Sequence, residues 1–460
     1  MKLEPLDKYQ SKPIAILNPG RRSLEVLSAN GSKVAHGKRP VEELLKTICN
    51  HYCYVLDALT PLIHTTGALS WQLSIWKGRE TRATYLPLGL SITSLRGTLE
   101  PASAYDDLER VLSWLKGYGV SPGSIPAMAW GLFRASLRRS YTVGFDPEVG
   151  RAAFFGGRQE ISTAGIYTNM QSIDIKAAYP AAMARPQGYA LSLREVDPVT
   201  ELDSFMAGIA MAKVYVPESM PYAPLPVRLA PDVVSYQKGN IEGWWPWCEL
   251  KAASDLGAEV SIIRSWAPAR TAELFGPWWP LAAEGRELPG RAGVLAKAIS
   301  TSTWGQFGMT AEDRALRQFS DDTGKVSFDI PLQNHQMPHS WTAHVAAETT
   351  GRVRTQMLLE GLYGDMTPAH IDTDGVIVPT GSKVPEGTGA PGEWRVKADI
   401  PLCDIRAPQL YRWTCPGCGV SHEHWHYNAS GIPASEAAGY FEGKNITPIK
   451  ITSRGEYEGQ

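Results

Sequence analysis

Ser172-Ile-Asp174-Ile-Lys-Ala-Ala-Tyr179-Pro180, Lys297-Ala-Ile-Ser-Thr301-Ser-Thr-Trp304-Gly305 and His370-Ile-Asp372-Thr-Asp374-Gly375 are the stretches whose joint reading decides the fold. In chain order they give an aspartate ending a strand, a lysine on a helix and two aspartates in a hairpin. That order supplies two carboxylate sites for divalent ions and a cation for a triphosphate, as template-directed nucleotidyl transfer requires. Each piece is weak alone.

In a strand, residues i and i+2 share a face, so Asp372 and Asp374 can point into one site, where their repulsion calls for a divalent cation. An Asp-Gly hairpin turn with solvated aspartates stands beside that reading. A calcium loop does not, because Lys383 occupies the position that needs a glutamate. Asp174 is the carboxylate from a second strand that such a site requires, or else a cap ahead of the helix expected near Pro180. Lys297, Thr301 and Trp304 fall at i, i+4 and i+7, one stripe of a helix that can present an ammonium and an aromatic face. A solvated surface lysine is the plainer alternative.

The chain of 460 residues is 43% hydrophobic and 20% charged, the balance of an ordinary globular protein of two to four units. It has no run of 18 apolar residues and no signal-peptide core at its start, so a cytoplasmic, membrane-free protein, and a monomer, are expected. A net charge of -2 argues against a uniformly basic coat but leaves room for a basic groove. Six cysteines in this length predict reduced thiols. One group stands apart: Cys415 and Cys418, with His422, His424 and His426, have zinc-ligand chemistry, while a tight turn with free thiols reads the same residues. Cys49, His51 and Cys53 fall on a helical pattern.

Strand-like runs at 13–17 and 23–27 alternate with helical periodicity at 41–63 and 105–117, a mixed α/β unit ending at the turn formers of 144–150. A strand is expected from Tyr167 into Asp174, helices over 294–304 and 342–362, a hairpin around Thr323-Gly-Lys-Val, and a strand at Ala369. No P-loop, G-x-S-x-G or Rossmann fingerprint occurs.

The three segments resemble motifs A, B and C of family B DNA polymerases, and are most similar to the small protein-primed branch of phages and linear plasmids. Phe154-Phe-Gly156-Gly157 looks like the Y-x-G-G element before motif A. Gly243 to Leu250, Thr323-Gly-Lys-Val and Gln409-Leu-Tyr411 before Gly431-Ile-Pro add local likenesses, so that the resemblance spans about residues 150 to 435.

This resemblance implies an α/β, multidomain right-hand polymerase. Its parts would be a degenerate RNase H-like exonuclease domain (1–150), palm with motif A (151–225), an inserted terminal-protein-region-like segment (226–285), fingers helix with motif B (286–312), palm with motif C (313–405) and reduced thumb (406–460). Asp174, Asp372 and Asp374 would hold two Mg2+ or Mn2+ ions, and Lys297 would bind the triphosphate. Tyr179 would gate against ribose, with Thr301, Trp304 and Arg291 also at the nucleotide. Phe154, Gly156, Gly157, Arg158 and Tyr411 would contact DNA. The implied partners are template, primer, dNTPs and a terminal or priming protein. Ala177, Thr301, Trp304, His370, Gly375 and Gln409 depart from the family pattern while sparing the carboxylates and Lys297. Ala15-Ile-Leu-Asn18 lacks the D-x-E pair of a proofreading site, so no exonuclease activity is expected. A D-x-D glycosyltransferase and a polymerase-derived nucleic-acid-binding protein are the rival readings.

Overall fold

The computed structural model describes residues 103–415 apart from short breaks at 124, 139, 143–146, 186–187, 199–206, 231–232 and 365 and a longer one over 309–341, within which only the strands Arg317–Ser320 and Val326–Asp329 are placed. It also describes 425–429 and 434–444, and before 103 and after 444 it places strands only.

An antiparallel sheet of seven strands carries the two aspartate segments. Its order is His426–Ala429, Leu410–Trp413, Trp394–Ala407, Gly165–Ile175, Gly375–Pro379, His370–Thr373 and Arg158–Ile161. Gly165–Ile175 lies at the centre, and its inner residues Met170, Ile173 and Ile175 are buried. A bulge between Ser172 and Ile173 shifts its pairing with Trp394–Ala407 just before Asp174, the kind of irregularity that re-aims a side chain.

A second antiparallel sheet, ordered Tyr189–Val196, Glu259–Ala272, Ile209–Val216 and Gly239–Pro246, is closed by the helix Trp247–Asp255. Ala210, Ala212, Val214, Val216, Trp245, Trp247 and Leu250 form its core. The N-terminal strands make a mixed sheet in which Ile14–Pro19, Tyr52–Val55 and Leu90–Ser94 run parallel. Tyr52–Val55 corrects the expected helix over 41–63: Tyr-Cys-Tyr-Val is a β-branched and aromatic run, and its place between two strands overrides the helical spacing. Cys53 is therefore a strand residue, while Cys49 and His51 lie outside the described residues.

The helix Arg291–Gly308 packs against Ile125–Ser136, Trp278–Arg286, Ala104–Gly117 and Ala343–Gln356. Phe133, Phe275, Trp278 and Phe307 interlock at its centre. Ala343–Gln356 is buried almost throughout and continues as one wide π-type turn, Met357–Leu362, into the aspartate hairpin. A helix buried all round keeps charges only when they are paired, and Glu348 pairs with Arg352 at 2.6 Å.

Candidate active site

Asp174 stands at the end of the central strand, opposite Gly375 on one side and Arg395 on the other. It caps nothing: the following helix, Ala178–Met183, starts after Ala177, which has φ 52 and no side-chain cap bond. The hairpin from His370–Thr373 to Gly375–Pro379 closes through Thr373 and Asp374, with Asp372 paired to Gly375. Thr373 has φ 68, a left-handed conformation costly for a β-branched residue and held only where the surroundings dictate it. Asp374 thus reaches the site from a turn and not through strand alternation with Asp372. Its carbonyl accepts the Ile175 N–H at 2.8 Å, which locks it beside Asp174.

Asp174, Asp372 and Asp374 line one cleft of about 240 Å³ together with Ser172, His370, Lys397 and Tyr411. Burial, and then the charge of Asp174, push the Asp374 carboxyl up to about 6. Two carboxylates are forced together here at a cost that a bound cation would remove. Asp174 is held by Arg395 (Nε to Oδ1 2.8 Å) and by Lys397 at 3.7 Å. Asp372 turns the other way, accepting from Asn428 at 3.2 Å and approached by the Tyr411 hydroxyl at 3.4 Å. No group of three metal-ligating side chains converges among the described residues. The donor set that fits a divalent ion is the pair Asp174 and Asp374, with Asp372 beside it.

Lys297 is exposed on its helix and faces this pair. Partial desolvation and the nearby Arg286 and Lys397 lower its pKa, while Asp174 and Asp374 oppose them. Arg291 is exposed at the start of the same helix. The Thr301 hydroxyl donates to the Lys297 carbonyl at 2.9 Å, a bond within its own helix. Trp304 stacks on Tyr179 with centroids 4.8 Å apart and meets Phe154 edge-on at 6.3 Å. Tyr179 is buried, so motif A, motif B and the preceding loop share one aromatic cluster.

Gly157 touches the Thr373–Asp374 turn. A Cβ there would lie 2.3 Å from Thr373 Cγ2 and 2.9 Å from the Tyr179 hydroxyl, so only glycine fits. Arg158 corrects an expectation: it is 2% exposed, donates to the Ala223 carbonyl at 2.9 Å and lies 4.0 Å over the Tyr236 ring. Its guanidinium is an interior strut and not a DNA contact. Cys415 Sγ lies 3.0 Å from His426 Nε2, whereas Cys418, His422 and His424 lie outside the described residues. Asn18 falls in the strand Ile14–Pro19.

Several site residues went unread in the sequence. Arg354, 2% exposed, grips Glu249 through two bonds of 2.8 and 2.7 Å and donates to the carbonyls of Phe155 and Gly156 at 2.8 and 2.6 Å. It therefore fixes the loop that holds the hairpin turn. Arg395 and Lys397 alternate on one strand, and that spacing was the only signal for them. His370 is buried, and its pKa is pushed down to about 4, so the imidazole is neutral at pH 7.

No protein-family model matches the chain, and no curated protein does. Solved structures of Phi29 DNA polymerase do. The post-translocation binary complex with primer-template DNA matches with a TM-score of 0.66 at 11% identity, over 97% of this chain and 99% of that one. The orthorhombic crystal form gives 0.65 at 11% over 97% and 98%. The ternary complex with primer-template DNA and incoming nucleotide substrates gives 0.64 at 12% over 98% of each chain. The fold of this mixed α/β chain is that of Phi29 DNA polymerase along nearly its whole length. No described helix is long and apolar enough to cross a membrane.

Proposed function

We propose that this chain is a template-directed DNA polymerase of family B, on the protein-primed side of that family, to which Phi29 DNA polymerase belongs. One observation carries the reading: Asp174 and Asp374 meet in a single cleft with Lys297 facing them, inside a polymerase fold.

Asp174 and Asp374 would hold divalent ions, Mg2+ or Mn2+, which when bound stabilise the attacking and leaving oxygens of an in-line displacement. Arg395 and Lys397 neutralise Asp174 in their absence and must yield to them. Lys297 binds the incoming triphosphate and follows its charge to the pyrophosphate leaving group. The 3'-hydroxyl of a primer attacks the α-phosphate and gives its proton to solvent, a bond forms from its oxygen to that phosphorus, and the bond to pyrophosphate breaks. Tyr179, backed by Trp304, limits the space at the sugar 2' position. Phe154, Gly156, Gly157 and Tyr411 line the DNA path, Arg291 lies at the nucleotide entrance, and the domain boundaries follow those of the resemblance. Without a D-x-E pair in Ala15-Ile-Leu-Asn18 the first domain would not proofread, and Cys415 and His426 would form half of a zinc staple.

The glycosyltransferase reading needs Asp372 and Asp374 on one ion, but Asp372 is turned to Asn428. A purely DNA-binding role leaves the clustered carboxylates and the raised Asp374 pKa without a purpose.

The test is extension of a labelled primer on a template with four dNTPs and Mg2+ or Mn2+, run beside a primer-free reaction containing a candidate priming protein. Extension in either reaction supports the reading and separates the priming modes. No incorporation in both overturns it.

A further inference from the structure

One polar side chain in the aspartate cleft has no part in the chemistry above. His370 opens the strand that carries Asp372, and its ring is 1% exposed. Among the described residues neither Nδ1 nor Nε2 has a hydrogen-bond partner. The ring packs 4.4 Å from the ring of Tyr411, and both residues line the cleft shared by Asp174, Asp372 and Asp374.

A buried polar group left unpaired costs folding free energy, and a phenylalanine would fill this wall without that cost. The unpaired nitrogens therefore point to a ligand. An imidazole presents an N–H donor whatever its protonation, and an alcohol hydroxyl can accept it. The Asp372 carboxylate, two residues on and on the same strand face, repels an anion at the ring, so a phosphate is the wrong partner there. The Tyr411 ring with Ile377, which is paired to His370, gives the cleft an apolar side that suits the face of a sugar.

We propose that His370 is a contact residue for the sugar hydroxyl at the 3' end of the strand being extended, pairing with the hydroxyl that attacks. This rests on the polymerase reading. It assigns to His370 a selectivity for strand ends that carry a free 3'-hydroxyl over those that lack one.

The test is equilibrium binding of two primer-template duplexes, identical except that one primer ends in a 3'-hydroxyl and the other in a 3'-deoxy sugar. It is measured by fluorescence anisotropy in EDTA without dNTPs, so that neither metal nor turnover contributes. Wild-type protein should favour the hydroxyl end by about three- to tenfold, the worth of one net hydrogen bond. His370→Phe should bind both duplexes equally, at the wild-type affinity for the 3'-deoxy end, and melt no lower than wild type. His370→Gln, which keeps a donor and an acceptor, should retain the preference and serves if the first variant misfolds. An indifferent wild type, or a preference that survives in His370→Phe, overturns the assignment while leaving the polymerase reading standing. A wild type that binds neither duplex overturns both.

Discussion

The rings of Tyr179 and Trp304 lie face to face, with centroids 4.8 Å apart and planes inclined by 12°. Tyr179 follows the Asp174 strand and Trp304 lies two turns beyond Lys297 on the helix Arg291–Gly308. The stack thus joins the carboxylate side of the cleft to the helix that bears Lys297. Tyr179 is thus held both by its burial and by the stacked Trp304 ring.

Trp304→Ala should accordingly loosen sugar selection almost as much as Tyr179→Val, on the order of tenfold in the rNTP/dNTP incorporation ratio. The double variant should add little, because contacting residues are not additive. It should also destabilise by about 3 kcal/mol, as aromatic truncations do. An unchanged ratio in both single variants would return the pair to a purely structural role.

Arg354→Met leaves the Glu249 carboxyl buried without its partner, and frees the loop at Phe155 and Gly156. The expected loss is about 3–5 kcal/mol by chemical denaturation. Replacing both residues with apolar ones should recover part of it, because the cost lies in the orphaned carboxyl. If the double variant is no more stable than Arg354→Met, the orphaned carboxyl is not the cause.

His344 is fully buried and bonds the Ala190 carbonyl through Nε2 at 2.9 Å. Burial lowers its pKa from 6.5 to about 4. The unfolded chain takes up a proton below pH 6.5 while the folded one resists, so the stability this residue contributes is present above that pH and falls toward pH 4. The loss reaches about 3 kcal/mol. His344→Gln should flatten the fall between pH 6.5 and 4 in urea midpoints, and a wild-type profile level over that range would contradict it.

The segments around Asp174, Lys297 and Asp374 could be picked out because each keeps its charged and aromatic residues at short spacing, whatever the rest of the chain does. Arg158 misled because a charged side chain defaults to the surface; besides Glu160, two residues on, it is held in the interior by Ala223 and Tyr236, 65 and more residues away in the chain. The Glu249–Arg354 pair, 105 residues apart, leaves no local pattern. Asp372 and Asp374 read as one face of a strand, whereas the left-handed Thr373 between them sends the two in different directions, and that turn depends on packing against Gly157. His370 stood in the sequence only as a departure from a motif.

Ala15-Ile-Leu-Asn18 carries no carboxylate pair on the first long strand, and metal-dependent hydrolysis needs one. Purified protein should leave a 5'-labelled single strand intact in Mg2+. Shortening of that strand from its 3' end, persisting in a variant unable to polymerise, would locate a nuclease site elsewhere in the chain.

The most direct measurement is single-nucleotide incorporation on four primer-templates that differ only in the first template base, each offered the four dNTPs one at a time with Mg2+. Template-directed transfer through Asp174 and Asp374 predicts addition of the complementary nucleotide on each template, and a loss of at least ~10²-fold in rate for Asp174→Ala and for Asp374→Ala while both still bind DNA. Addition that ignores the template base, or wild-type rates in either variant, would contradict the account.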